Sequence, residues 1–424
     1  MDVVHERCCG LDVHKRTVVA CLVTPRANGT PQKVIRTFDT MTADLLALAD
    51  WLGASDCTHV ALESTSAYWK PVWNVLEGSF ALLLVNAQHV KQVPGRKTDV
   101  RDCEWLADLL RHGLLRASFV PEKPQRELRD VLRYRTEKVR DRSREVQRLE
   151  KTLEGANIKL AAVVTDLTGK SSRQILAGLV TGATSATETT GPELAAALAD
   201  LAAGRLRAKL PALTKALEGR FGAHHRFLVA EHLTQIDGLE ETIDRLSQEI
   251  ATRLQPVEAH LDQLDAIPGV GRRTAEVIVA EIGTAMARFP TAKHLASWAG
   301  MCPGNRESAG KRLSGRTRKG NTALRSALVE AAHAAGRTKG TYLAAQFRRL
   351  SARRGAKKAA VAVGHSILVI AYHLLRDGTV YQDLGDTYFD QRNCAQLERR
   401  LVQRHTPGFA SQALGNTVTV TPAA

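Results

Sequence analysis

Apolar residues recur every seven positions at Leu132, Val139, Val146 and Leu153, and a second series, Ile236, Leu239, Ile243, Leu246 and Ile250, steps by threes and fours. Spacing of this kind lines up apolar side chains along one stripe of a helix. The chain must therefore contain two long amphipathic helices, and each stripe needs a partner to cover it. Leu128 and Leu149 flank the first stripe, while Arg135 and Arg142 occupy the other places of that flank and weaken it. Pro256 closes the second series. Two such helices can form an antiparallel hairpin within one chain or join two chains, and the spacing fits both.

Ahead of these helices the pattern is different. GLDVHKRTVVACLVTP (10–25) alternates and is rich in Val and Thr, QKVIRTF (32–38) reads as a further short strand, and TADLLALADWL (42–52) has helical spacing. A strand THVALE (58–63), a helix from Tyr68 to Leu76, a buried strand FALLLVN (80–86) and a helix from about Asp99 to Arg111 follow. Periodicity supports an α/β domain, and the element order resembles that of the ribonuclease-H-like fold. Between the two seams, 165–222 is rich in Ala, Gly and Thr and reads as a helical insertion without identifiable chemistry. The expected divisions are 1–122, α/β; 123–262, coiled-coil and helical linker; 263–385, a mainly helical C-terminal domain; and 386–424, a partly disordered tail.

Charge narrows the partners. Of 424 residues, 59 are Lys or Arg and 44 Asp or Glu, a formal net charge of +15. Between Ser308 and Arg376 there are fifteen Lys and Arg and a single acid, Glu330, so this window holds nearly all of the excess. Helix faces solvated by charge usually alternate in sign, whereas a one-sided block is an electrostatic footprint for phosphates. The longest apolar stretch, 360–375, is interrupted by His365 and Ser366 and is shorter than the ~20 residues of a membrane span. The N-terminus, MDVVHERCCG, lacks the apolar core of a signal peptide. Seven scattered cysteines without zinc-site spacing read as reduced, mostly buried thiols of a cytoplasmic protein with no membrane partner.

Four acids stand out in the α/β region. Asp12 lies in an otherwise apolar strand, Glu63 closes VALE, and Asp99 and Asp102 are spaced i, i+3 on the expected helix. Burying carboxylates together is costly unless cations neutralise them, and Mg²⁺ binds through carboxylates and substrate phosphate oxygens. Two such ions about 4 Å apart can cleave a phosphodiester. Singly, each acid also has an ordinary reading: Glu63 as a helix cap, Asp99 as a helix N-terminal acid, Asp12 as a turn residue. Asp108 is expected to be exposed or to lie outside the first layer of ligands.

The basic region carries a second set of candidates. IPGVG (267–271) precedes an apolar-periodic helix and resembles half of a helix-hairpin-helix element, in which Gly269 and Gly271 would let backbone N–H groups reach a phosphate. An ordinary Pro-Gly turn reads the same way. Ser308 lies in RESAGKRLSGRTRKGN among Gly304, Gly310, Gly315 and Gly320, with Lys311, Arg312, Arg316, Arg318, Lys319 and Arg325 nearby. Flexible backbone and dense cation are what a serine needs to attack a phosphodiester. Ser314, Ser297 and Ser326 compete for that role.

Together GLDVHK, LESTSAYW, KTDVRDCEWLADLL, the coiled-coil helices, IPGVG, ASWAGMCPGNRESAGK and RTRKGNTALR resemble the transposases of the insertion sequence 110 family, the DEDD transposases, from about residue 8 to 376. The resemblance implies an N-terminal domain like the Holliday-junction resolvase (RuvC-like), a coiled-coil linker and a C-terminal transposase domain. It places the four-acid set on Asp12, Glu63, Asp99 and Asp102, holding Mg²⁺ or Mn²⁺, and the nucleophilic serine on Ser308. Where the family has Ser-Gly, this chain has Ser308-Ala309-Gly310, which keeps Ser314 in reserve. The resemblance also implies donor and target DNA, a non-coding bridge RNA that reads sequence by pairing, and a dimer or tetramer in which acids and serine of different protomers meet.

The expected function is site-specific strand transfer through a covalent serine–DNA intermediate. A metal-dependent junction resolvase that uses water, and a non-catalytic nucleic-acid-binding protein, are the alternatives.

Overall fold

In the computed structural model, which describes residues 2–64, 66–86, 102–182, 190–304, 306–392, 394, 409–414 and 417–422, the run 10–25 is a hairpin. Strands β1 (Cys8–Val13) and β2 (Thr17–Pro25) pair antiparallel, and β3 (Pro31–Asp39) adds to β2. Helix α1 (Thr42–Ala54) leads to β4 (His59–Glu63), α2 (Trp69–Leu76), β5 (Ala81–Val85) and α3 (Asp102–Arg111). Both β4 and β5 run parallel to β1, and the sheet order is β3-β2-β1-β4-β5. Alternation sorts the side chains onto two faces. Leu11, Val13, Val60 and Leu62 pack with Leu45, Leu48 and Leu52 of α1 and Val72 and Leu76 of α2. Cys8, Cys21 and Ala61 meet Cys103, Ala107 and Leu110 of α3 on the other face.

The chain divides into two units, 1–122 and 123–424. In the second, α4 (Lys123–Gly155) is followed by α5 (Leu160–Val163), α6 (Lys170–Gly182), α7 (Pro192–Ala199) and α8 (Leu210–Leu217), and then by the long α9 (Ala223–Leu254). Helices α4 and α9 pair antiparallel within the chain: Glu127 meets Arg253 at 3.5 Å, Arg142 meets Glu240 at 2.8 Å, and Glu145 meets His232 at 2.6 Å. The seam open between cis and trans pairing is thus covered in cis. The insertion closes the far end of the hairpin, where Leu149, Leu153, Ile175, Leu179, Leu198, Leu213, Leu217, Val229 and Ile236 form one core.

Helices α10 (Glu258–Asp265), α11 (Arg272–Ile282) and α12 (Ala292–Trp298) follow, then β6 (Arg306–Ser308), β7 (Lys311–Ser314), α13 (Thr322–Ala335), α14 (Tyr342–Arg354) and α15 (Ala356–Asp377). The linker and the C-terminal helices belong to the same unit, because Arg135 of α4 reaches Glu276 of α11 at 2.5 Å with both side chains buried. At 22 residues α15 is long and apolar enough to cross a membrane by length and composition. Its Val363, Ile367, Leu368, Ala371 and Tyr372 are instead buried within the unit. In the segment expected as a tail, β8 (Phe409–Leu414) and β9 (Thr417–Pro422) pair antiparallel, in line with the alternation of TVTVT.

Candidate functional site

The acids of the first unit are positioned by strand register. β1 and β4 pair in parallel with Leu11 opposite Leu62, so Asp12 and Glu63 are the next residues along on neighbouring strands. Leu11 and Leu62 point into the α1–α2 core. By alternation Asp12 and Glu63 share the other face, the one α3 covers. That helix lies unusually close: a Cβ on Gly10 would fall 2.3 Å from the Cys103 carbonyl oxygen and 2.5 Å from the Ala107 nitrogen. Two residues beyond Gly10 and on its face, Asp12 comes level with the α3 N-terminus, whose first residue is Asp102.

Electrostatics agree with this placement. Burial, then the Glu104 and Asp12 carboxylates, push the Cys103 thiol up. Asp12 remains 25% exposed and pairs with His14 Nε2 at 3.2 Å. Sequence reasoning did not pick out His14, although it stands two residues after Asp12 in the same short motif. Asp108 pairs with Lys33 of β3 at 2.6 Å, a structural role for that acid. Asp99 lies outside the described residues.

As donors the acids fit a hard divalent cation that keeps water and takes further oxygens from substrate. Among the described residues, no three His, Cys, Asp or Glu side chains make a ready cation cage. Burial raises the Cys8 thiol to about 11 and the Cys57 thiol to about 12, which disfavours their thiolate forms.

In the second unit, 299–304 and 306–321 form a hairpin arm. At its root Gly320 crosses Gly300 so closely that a Cβ on Gly320 would lie 2.4 Å from the Gly300 nitrogen. Further out, Pro303 bridges Thr317 and the Gly304 N–H donates to the Arg316 carbonyl at 2.8 Å. Then β6 and β7 pair, Arg306 with Ser314, Glu307 with Arg312 and Ser308 with Lys311. Ala309 (φ 49°) and Gly310 (φ 73°) make the turn at the tip, both left-handed as in a type I′ hairpin. A left-handed alanine costs roughly 1–2 kcal/mol that glycine avoids. SWAG and KGN therefore form the root of the arm and ESAGK its tip.

Ser308 is the last residue of β6, immediately before the turn; for Ser308 and Arg312 only the backbone is among the described features. Among the competing serines, Ser314 is half-buried and its hydroxyl accepts from the Arg316 N–H at 3.2 Å, Ser297 lies in α12 and Ser326 in α13. Lys311, Arg316, Arg318 and Lys319 are exposed and Arg325 is half-buried on α13.

The IPGVG turn joins α10 to α11. Gly269 (φ 86°) meets α13: a Cβ there would lie 2.4 Å from the Ala331 carbonyl oxygen and the Ala335 nitrogen. Its glycine is needed for helix packing. Gly271 has open space around it and precedes the first residue of α11.

Two family models match in chain order. Residues 9–158 match the DEDD model for IS110, described as a transposase, and residues 261–348 match the model described as the transposase IS116/IS110/IS902 family. The insertion element IS110 uncharacterized 43.6 kDa protein of Streptomyces coelicolor is 32% identical over 157 residues, 37% of this chain and 36% of that protein. The alignment thus spans about a third of that relative's length. The first matched segment contains the strand ends that carry Asp12 and Glu63, and the second contains the whole hairpin arm. The chain belongs to the IS110 family of transposases.

Proposed function

We propose that this transposase cuts and rejoins DNA through a covalent bond to Ser308, assisted by Mg²⁺ or Mn²⁺ at the acidic edge of a ribonuclease-H-like (RuvC-like) domain. The observation that carries the reading is the arm. It presents Ser308 next to a tight turn on a hairpin whose exposed Lys311, Arg316, Arg318 and Lys319 have no acidic partner among the described residues. The sheet order, with an antiparallel β1–β3 and parallel β4 and β5, supports the domain assignment.

In the reaction the Ser308 hydroxyl attacks phosphorus. The Oγ–P bond forms as one P–O bond of the strand breaks, and the serine proton ends on the departing oxygen. A hydroxyl of a second strand then attacks the same phosphorus; the new O–P bond forms as the Oγ–P bond breaks, and the hydroxyl proton returns to serine. Bonds balance, so no high-energy cofactor is consumed. The arm's cations offset the charge that builds on pentacoordinate phosphorus. Asp12, Glu63, Asp99 and Asp102 would hold the metal, which supplies polarisation of the scissile phosphate when bound. Donor and target DNA are the substrates, a bridge RNA supplies sequence selection, and the working form is a homo-oligomer.

The test is Ser308→Ala. The covalent protein–DNA adduct seen on a denaturing gel is expected to vanish while DNA binding persists. A surviving adduct moves the nucleophile elsewhere, with Ser314 next in line. Hydrolysed ends without any adduct from the unaltered protein would favour the water-using nuclease. Full function after Asp12→Asn with Asp102→Asn would leave only the binding protein. Sequencing copurified RNA tests the guide, and finding no element-encoded RNA removes it from the reading.

A further inference from the structure

A buried carboxylate in the last turn of α11 ties together three parts of the second unit. Glu281 is 2% exposed. It accepts two parallel bonds from Arg133 (Nε to Oε1 2.8 Å, Nη2 to Oε2 2.9 Å), and Arg129 Nε lies 3.2 Å from Oε2. Both arginines come from α4. A further partner is the Asn321 amide, whose Nδ2 donates to Oε2 at 2.6 Å. Asn321 ends the KGN root of the serine arm and also caps α13, its Oδ1 accepting the Leu324 N–H at 3.0 Å.

The acid is poorly placed for its own helix. A negative charge in the last turn opposes the helix dipole, and burial adds a desolvation cost. Its partners repair both faults. Arg129 also donates to the Ala280 carbonyl at 3.0 Å and to the Glu281 carbonyl, and Gln125 donates to Ala280 at 2.9 Å, so α4 satisfies the end of α11 that stops at Gly283 (φ 74°). Capping α13 requires only the oxygen of Asn321. The amide nitrogen is spare for that purpose, and it is this group that is spent on Glu281.

We infer that Glu281 and Asn321 are positioning residues: their bond fixes the root of the serine arm to the base of the long α4–α9 hairpin, so that the orientation of the arm follows that of the hairpin. The inference rests on the reading of Ser308 as nucleophile for its catalytic consequence, and on the bond itself for its structural one.

Asn321→Ser separates the two roles, because serine is an equally good cap but too short to replace the amide link. Melting temperature is expected to stay near that of the unaltered protein. Amides of 303–320 should exchange about fivefold faster, the equivalent of one lost hydrogen bond. Adduct formation should fall roughly ten- to a hundredfold at unchanged DNA affinity, as expected when a reacting group is misplaced. Asn321→Asp keeps the cap oxygen but has no hydrogen to donate to Glu281, and should lower the adduct rate as Asn321→Ser does. Unchanged exchange and adduct rate in Asn321→Ser would overturn the inference. So would a large fall in melting temperature, which would make the bond a stability element. If Ser308→Ala retains its adduct, the nucleophile reading fails and the exchange measurement alone decides whether the arm is tied.

Discussion

At Gly10 an added Cβ would run into two backbone atoms of α3, the Cys103 carbonyl oxygen and the Ala107 nitrogen, which cannot swing aside as a side chain could. The absence of that one carbon lets α3 settle on β1 and brings its first residue, Asp102, to the strand end that carries Asp12. Gly10→Ala is expected to destabilise the first unit by about 1–3 kcal/mol, the usual cost of overpacking, and to weaken activity beyond that loss by shifting α3. Gly53→Ala is the control. Nothing lies within 4 Å of its missing Cβ and it sits in α1, so about 1 kcal/mol of stabilisation is expected from helix propensity. Calorimetric unfolding of both variants checks the pair. The acids at Asp12 and Glu63 were legible as an odd charge in an apolar strand and a charge at a strand end. Gly10 was not, because a glycine in an alternating run says nothing about which backbone will approach it.

The long hairpin shows how a flaw in a local pattern can mark a long-range contact. Arg135 and Arg142 interrupt the flank of the α4 stripe, and each reaches another element: Arg135 meets Glu276 of α11 and Arg142 meets Glu240 of α9. Their surroundings differ enough to rank them. Arg135 and Glu276 are both buried, so Arg135→Ala leaves a buried carboxylate, with Arg272 at 3.5 Å as a weaker substitute. A loss of about 3 kcal/mol is expected. The Arg142 pair is about one-third exposed on each side, and Arg142→Ala is expected to cost under about 1 kcal/mol. Urea unfolding of the two variants distinguishes these outcomes, and equal losses would refute the ranking by burial. At the same scale, IPGVG was legible as a turn before a helix. Its first glycine packs against α13, a partner some sixty residues further on that no local motif could reveal.

Across the whole molecule the charge is sorted by region. Arg353, Arg354, Lys357 and Lys358 cluster where α14 gives way to α15, all exposed and without an acidic partner among the described residues. Changing all four to Gln should lower the slope of log affinity for duplex DNA against log salt by about 0.9 for each phosphate no longer neutralised. A slope unchanged within error would show that this corner does not touch DNA. The cationic region and the carboxylate edge were both readable in the chain, as were the two long helices and the α/β start, since charge, alternation and heptad spacing are properties of neighbouring residues. Tertiary structure alone decided that the seams pair in cis, that register sets Asp12 beside Glu63, that SWAG and KGN cross to make the root of one arm, and that Asn321 meets Glu281. The physical reason is that periodicity specifies which face of an element must be buried, whereas the choice of partner depends on shape and charge complementarity between residues far apart in the chain.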